Sequence, residues 1–202
     1  MNLQATDFEL FGVPARFAQD AAALTERWKA LQREVHPDKF AAQGPAAQRV
    51  AAQWSARINQ AYQRLKSPQQ RAAYLCELHG APIQAESNTA MPAEFLMQQM
   101  ELREALDEAA SAADLDQISR TSATLQRELL QKIEHQQDTQ QDWPAAAQSV
   151  RALMFLDKLA ADIDRRHLVR QIVGRELRAT QREVADVSNN KATLSIRNLH
   201  RR

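Results

Sequence analysis

The stretch "REVHPDKF", Arg33 to Phe40, interrupts a helix-like run with a histidine, a proline and an aspartate in succession. Proline cannot donate a backbone hydrogen bond, and it moves the residue before it out of helical geometry. We therefore expect His36 to end a helix and Asp38 to lie in an exposed turn. The stretch predicts a rigid corner that presents an imidazole and a carboxylate.

Two amphipathic helices flank this corner. The first begins near Asp20, a good N-cap residue, and its opposite faces carry an apolar stripe and the basic residues Lys29 and Arg33, with Arg27 on a flank. The stripe consists of Leu24, Trp28, Leu31 and Val35. A matching stripe after the corner consists of Val50, Trp54, Ile58, Ala61 and Leu65. The two stripes predict an antiparallel helical hairpin whose connecting loop holds the corner.

The composition favours an all-α protein in two domains. Only 4 of the 202 residues are glycine and 44% are hydrophobic, with abundant Ala, Leu, Gln, Glu and Arg. We expect an N-terminal helical hairpin with short flanking helices, a polar linker, a C-terminal three-helix bundle and a flexible basic tail with seven Lys/Arg against three Asp/Glu. The predicted boundaries are 1–80, 81–92, 93–173 and 174–202.

The charge and cysteine content narrow the function classes. The formal net charge of +1 gives no general argument for binding nucleic acid or an anionic membrane. Cys76 is the only cysteine, which excludes an intrachain disulfide and a multi-cysteine metal site. There is neither a secretory leader pattern nor an apolar run of about 18–20 residues. These features favour a cytoplasmic protein without a metal or another cofactor.

The chemistry of the corner suits docking better than catalysis. Acid–base catalysis by His36 would need a pocket and partner groups, whereas a corner between helices is convex. A zinc site would need three or four ligands, and no nearby residues have that spacing. A carboxylate in a rigid turn suits a charge-assisted hydrogen bond to an arginine of a partner. A simple helix stop is the alternative interpretation.

The hairpin with its His-Pro-Asp corner resembles the J domain of DnaJ-type co-chaperones. This resemblance implies that the corner and the basic face of the preceding helix engage a DnaK-type chaperone and stimulate its ATP hydrolysis. The residues that it assigns to chaperone binding are His36, Pro37, Asp38, Lys29, Arg33 and Arg27.

Six stretches within about residues 6–165 resemble the HscB family of co-chaperones. They are "LFGVPARF" (Leu10–Phe17), "HPDKF" (His36–Phe40), "INQAYQRL" (Ile58–Leu65), "RAAYL" (Arg71–Leu75), "FLMQQMELREALDE" (Phe95–Glu108) and "RALMFLDKL" (Arg151–Leu159). The resemblance implies a non-enzyme that delivers an IscU-like iron–sulfur scaffold protein to an HscA-like DnaK-type chaperone. It implies no nucleic-acid or membrane partner. The zinc-binding cysteine module of some eukaryotic relatives has no counterpart here.

The helix that begins near Pro92 has two different sides. A turn of about 100° per residue places Phe95, Leu102 and Leu106 on one side and an apolar patch with a charged rim on the other. Such a patch is typical of a partner site, and a helix covered on both sides is the alternative. The HscB resemblance implies that this patch binds the scaffold protein. The residues assigned to it are Leu96, Met97, Met100, Glu101, Arg103, Glu104 and, from the last bundle helix, Phe155.

Two rival functions stay open at this point. A J-domain co-chaperone for another client would keep the first domain and change the second. A helical nucleic-acid binder would use the basic tail and the Lys29/Arg33 face, and its binding would depend steeply on salt. The sequence favours a co-chaperone that acts on the ATPase of its partner by binding to it.

Overall fold

The computed structural model describes residues 4–84 and 91–199, with the backbone alone at 177, 178 and 180–199, and these residues contain no β-strand. The helices are α1 (Asp7–Phe11), α2 (Ala21–Glu34), a 3₁₀ helix (Pro37–Gln43), α3 (Pro45–Lys66), α4 (Pro68–Leu78), α5 (Ala93–Glu108), α6 (Ala112–Glu134), a π-helical turn (His135–Gln140) and α7 (Trp143–Leu199). The all-α prediction is confirmed.

The N-terminal helices begin where the sequence places their capping residues. Thr6 and Glu9 form a reciprocal capping box at α1. The carboxylate of Asp20 accepts hydrogen bonds from two amides at the start of α2, at 2.8 and 3.1 Å. The Ser67 hydroxyl caps α4, and Pro68 follows it as the first helical residue. Each cap satisfies amides that have no partner inside the helix.

Helices α2 and α3 form the predicted antiparallel hairpin. The hydroxyls of Thr25 and Tyr62 lie 3.0 Å apart, and seven residues further along α2 the Gln32 Oε1 accepts a hydrogen bond from Ser55 Oγ at 2.7 Å. The residue number rises by seven on one helix and falls by seven on the other, so the two run in opposite directions. The buried residues of the stripes are Leu24, Leu31, Val35, Ile58, Ala61 and Leu65.

One member of the predicted stripe on α3 is exposed. The side chain of Val50 is 52% exposed, whereas its neighbour Ala51 is buried. The prediction for Val50 was wrong because α2 has already ended at Glu34. At this level α3 packs against the 3₁₀ helix instead.

The chain forms two compact units, each built from two segments. The first comprises Met1–Met97 and Thr124–Asp157, and the second comprises Gln98–Ala123 and Lys158–Arg202. In the first unit, the end of α6 and the start of α7 share one core with α1–α4. The division at residues 80 and 93 that the sequence suggests stays a prediction.

A π-helical residue links the two segments of the first unit. The Asp138 carboxylate accepts hydrogen bonds from the amides of Phe17 at 2.7 Å and Ala18 at 2.9 Å. The neighbouring Gln137 donates from Nε2 to the Ala72 carbonyl at 2.9 Å. Backbone groups of the loop between α1 and α2 and of α4 are thus paired by side chains that occur much later in the sequence.

In the second unit, α7 binds the end of α5. Arg166 donates to the carbonyl of Leu106 and, at 2.5 Å, to the Asp107 carboxylate. Arg170 donates to the carbonyl of Ala110. These guanidinium groups satisfy carbonyls at and just beyond the C-terminus of a helix, where cations are also favoured by the helix dipole.

The predicted linker and tail are described only in part. Residues 85–90 of the predicted linker 81–92, and residues 200–202 of the predicted tail, lie outside the described residues. Helix α7 runs through residues 174–199, so this backbone is helical where we expected a flexible tail. After Gly174 no glycine or proline follows, and arginine, alanine and glutamate favour a helix. The mobility of this segment stays a prediction.

Candidate functional site

The chain turns sharply between α2 and α3 at His36, Pro37 and Asp38, which we call the corner. His36 has extended backbone angles, φ −60° and ψ 125°, and Pro37 opens the 3₁₀ helix. The amide of Asp38 donates to His36 Nδ1 at 3.3 Å, which leaves Nε2 as the ring nitrogen able to donate. The side chains of His36 and Asp38 are 58% and 88% exposed. The corner is held by its own backbone and presents both groups to solvent.

The three basic residues predicted for chaperone binding differ in their surroundings. Lys29 Nζ pairs with Glu26 Oε1 at 2.8 Å, and this hydrogen bond, together with the lysine charge, lowers the pKa of the Glu26 carboxyl. Arg27 Nε donates to the Phe11 carbonyl at 3.2 Å. Arg33 is exposed in the last turn of α2, just before the corner. Lys29 and Arg33, four residues apart, share one helix face, whereas Arg27 is tied to the end of α1.

A buried ion cluster joins α1 to the C-terminal half of α3, and the sequence did not predict it. The fully buried Asp7 carboxylate lies 2.6 Å from Arg57 Nη1 and 3.3 Å from Arg64 Nη1. The amide of Asp7 donates to the Tyr74 hydroxyl at 3.1 Å. One carboxylate thus joins α1 to α3. The available signal was the seven-residue spacing of the two arginines, which places them on one face of α3.

An apolar groove borders the corner and was also missed. It is lined by the end of α2, the 3₁₀ helix and the start of α3. Its main apolar residues are Val35, Phe40, Val50 and Trp54. The helical spacing assigned Val50 to the buried stripe, so no sequence pattern indicated an open groove here.

Helix α5 has the two different sides that its sequence predicts. Leu102 and Leu106 are buried, at 8% and 5% exposure. We call Leu96, Met97 and Met100 the α5 patch, and these side chains are 42%, 64% and 71% exposed. The charged residues assigned to the rim, Glu101, Arg103 and Glu104, are exposed as well. Three large apolar side chains that face water on adjacent turns of one helix are typical of a partner surface.

The structure places Phe155 against the same helix. Its ring meets the ring of Phe95 edge to face, with centroids 6.1 Å apart and an interplanar angle of 86°. Phe155 is half-buried, and Phe95 directly precedes Leu96 in α5. The aromatic pair can therefore hold the first turn of α5 in place as well as contact a partner.

The described part of the chain offers neither a metal cluster nor a membrane-spanning helix. Among the side chains that the structure describes, no group of three or more His, Cys, Asp or Glu could hold a metal ion. Among the helices that the structure describes, none has the length and apolar character needed to cross a membrane.

Helices α2 and α3 form a hairpin that is closed by an exposed His-Pro-Asp corner, and further helices follow it. This architecture defines a J-domain co-chaperone. The family model described as "HSCB C-terminal oligomerisation domain" matches residues 91–164. The chain belongs to the HscB co-chaperone family, because it is 48% identical over 157 residues to the co-chaperone protein HscB homolog of Bordetella petrii, covering 77% of this chain and 92% of that one.

Solved structures agree with this family. The chaperone HscB from Vibrio cholerae superposes with a TM-score of 0.71 at 38% identity, covering 81% of this chain and 98% of that one. The human co-chaperone protein HscB superposes with a TM-score of 0.79 at 28% identity, covering 83% of this chain and 84% of that one.

Proposed function

We propose that this HscB-family chain is a docking co-chaperone in iron–sulfur cluster assembly. The corner and the basic face of α2 bind an HscA-like DnaK-type chaperone and stimulate its ATPase. The α5 patch binds an IscU-like scaffold protein and delivers it to that chaperone. The observation that carries the proposal is that a member of this family exposes both a charged corner and an apolar patch.

The corner suits a role in binding because its geometry is set before a partner arrives. Pro37 fixes the backbone, and the amide of Asp38 is already paired with His36. Little conformational entropy is lost when such a turn docks. The Asp38 carboxylate is available to accept a bidentate hydrogen bond from an arginine of the chaperone. Lys29 and Arg33 add a positive face that attracts an acidic surface.

The α5 patch suits a different kind of contact. Its three side chains present apolar surface, and the two thioethers adjust to the shape of a partner. The charged rim, with Glu101, Arg103 and Glu104, restricts which partners fit. Because Leu102 and Leu106 hold the opposite side of α5 in a core, the patch is presented on a folded helix.

In this proposal the chain has no active site of its own. His36 is highly exposed, and it accepts hydrogen bonds from the amides of Asp38 and Lys39 in the same turn. Stimulation follows from binding, which favours the ATPase-competent conformation of the chaperone. The predicted cytoplasmic location belongs to the same proposal.

The test is steady-state ATP hydrolysis by the DnaK-type chaperone, combined with calorimetric measurement of scaffold binding. We expect His36→Gln to abolish stimulation while the affinity for the scaffold is unchanged. We expect the triple variant Leu96→Ala, Met97→Ala, Met100→Ala to weaken scaffold binding at least about tenfold, while stimulation without scaffold is unchanged.

Matched controls exist on the same chain. His135 is an exposed histidine remote from the corner in sequence, so His135→Gln should stimulate normally. Leu168, Val169 and Ile172 are 57%, 54% and 47% exposed, so their triple alanine variant removes similar apolar surface elsewhere. That variant should bind the scaffold normally.

Three results would contradict the proposal. If the His36→Gln variant stimulated the chaperone ATPase normally, the corner would have no role in activating the chaperone. If the α5 triple variant bound the scaffold with unchanged affinity, the patch would not be the scaffold-binding surface. Another client would then be favoured. Tight, steeply salt-dependent binding of DNA or RNA would favour the nucleic-acid alternative.

A further inference from the structure

The two methionines of the α5 patch are unusually open to solvent. Met97 is 64% exposed and Met100 is 71% exposed, one helical turn apart. The other methionines in the described residues, Met91 and Met154, are half-buried. Oxidation of a thioether requires access of the oxidant to sulfur, so the exposed pair is the more reactive one.

We propose that Met97 and Met100 form a reversible oxidation site that controls binding of the scaffold protein. This inference rests on the function proposed above for the α5 patch. It adds a modification site and its reagent, a peroxide, to a surface otherwise defined only by its apolar character.

The chemistry needs a peroxide and nothing from the chain except the sulfur atom. The thioether lone pair attacks one oxygen of hydrogen peroxide, an S–O bond forms and the O–O bond breaks. The proton of the attacked oxygen passes to the second oxygen, which leaves as water. Sulfur is oxidised by two electrons and the peroxide is reduced by two. Methionine sulfoxide reductases reverse the change, with one enzyme for each sulfoxide epimer.

Oxidation would change the α5 patch without removing the support of its helix. A sulfoxide is polar and hydrogen-bonding, so covering it with an apolar partner surface incurs a desolvation penalty. We therefore expect scaffold affinity to fall about tenfold or more when both sulfurs are oxidised. The helix itself is held by Leu102 and Leu106, which lie in a core and carry no sulfur.

The thiol of Cys76 is protected from oxidation. Cys76 is fully buried, and burial raises the pKa of its thiol. The reactive thiolate is therefore scarce, and the oxidant has no direct access to sulfur. Mild oxidation should therefore occur at the exposed thioethers of the α5 patch, which is the partner surface, and not at the buried thiol in the core.

The experiment treats the full chain with hydrogen peroxide and locates added oxygen by peptide mass mapping. We expect Met97 and Met100 to gain one oxygen each before Met91, Met154 or Cys76 is modified. Scaffold affinity, measured by calorimetry, should fall about tenfold or more and recover after treatment with both reductase types. Scaffold bound beforehand should slow oxidation at both positions.

The matched control is Met97→Leu with Met100→Leu, which conserves volume. The affinity of this variant for the scaffold is measured before and after peroxide treatment, and the two values should be equal because its α5 patch contains no sulfur. The inference fails if that variant is equally sensitive, if other residues are oxidised first, or if the oxidised parent binds normally. Failure of the untreated parent to bind the scaffold would overturn the proposed function, and this inference with it.

Discussion

The corner and the α5 patch are both exposed, but they are built in opposite ways. The corner is short and charged, and local hydrogen bonds to the ring and the carbonyl of His36 hold it around a proline. The α5 patch consists of long, unbranched or singly branched apolar side chains on a regular helix face. The shape of the corner is therefore nearly fixed, whereas the shape of the α5 patch can vary widely.

Under the proposed function, this difference corresponds to two kinds of recognition on one chain. A rigid charged turn favours one precise partner geometry and derives its attraction from electrostatics. A methionine-rich apolar surface adapts to its partner and derives its affinity from buried area. The two contacts should therefore respond differently to the supporting fold, to salt and to single substitutions.

The largest expected effect comes from removing the ion cluster that joins α1 to α3. Asp7→Ala leaves Arg57 and Arg64 without their carboxylate and should lower the free energy of unfolding by about 3 kcal/mol. The arginine side chains keep 22% and 34% exposure, which limits the penalty. Thermal and urea unfolding measure the change.

A second variant distinguishes the contribution of the ion cluster to stability from the contribution of the helix cap of α1. Glu9→Ala removes only the capping-box carboxylate, which accepts from the Thr6 amide at 2.7 Å, and should lower the free energy of unfolding by about 1 kcal/mol. Equal losses for the two variants would show that the buried ions contribute nothing beyond an ordinary helix cap.

Salt should weaken chaperone binding and scaffold binding to different extents. Raising ionic strength from about 0.05 M to about 0.5 M should weaken chaperone binding at the corner about tenfold, because exposed charges are screened. Scaffold binding at the α5 patch should change less than about threefold, because apolar burial is insensitive to such screening. Calorimetric Kd values across a salt series test this, and parallel slopes would refute the contrast.

The smallest expected effect distinguishes two arginines of α2. Arg33→Ala should weaken chaperone binding about fivefold, since its charge is exposed next to the corner. Arg27→Ala should change the Kd less than about twofold but lower the free energy of unfolding by about 1 kcal/mol, since its Nε is bonded to the Phe11 carbonyl. The reverse pattern in binding and urea unfolding would reassign the docking face.

Local rules predicted much of the fold and of the candidate surfaces. Helix caps such as Thr6 and Asp20 depend on adjacent residues, so the sequence identifies them directly. The 3.6-residue helical period places Leu102 and Met100 on different faces of α5, and in the structure Leu102 is buried whereas Met100 is exposed. The corner follows from the chemistry of proline, which acts on its immediate neighbours.

The features that were missed depend on residues distant in sequence. Asp7 lies in the first turn of a helix, where exposed carboxylates are common, and only Arg57 and Arg64 show why it is buried. The exposure of Val50 depends on where a different helix ends. The first compact unit includes Thr124–Asp157, which no period within residues 1–80 could indicate.

The carboxylate of Asp138 has a consequence for the order in which the protein is made. It pairs the amides of Phe17 and Ala18, which lie 121 and 120 residues earlier in the chain. At about 10 residues per second, a ribosome needs about 12 s to bridge that interval. The loop between α1 and α2 thus acquires this partner only after the whole of α5 has been synthesised. A nascent chain therefore carries the α5 patch before the fold of its first compact unit is complete.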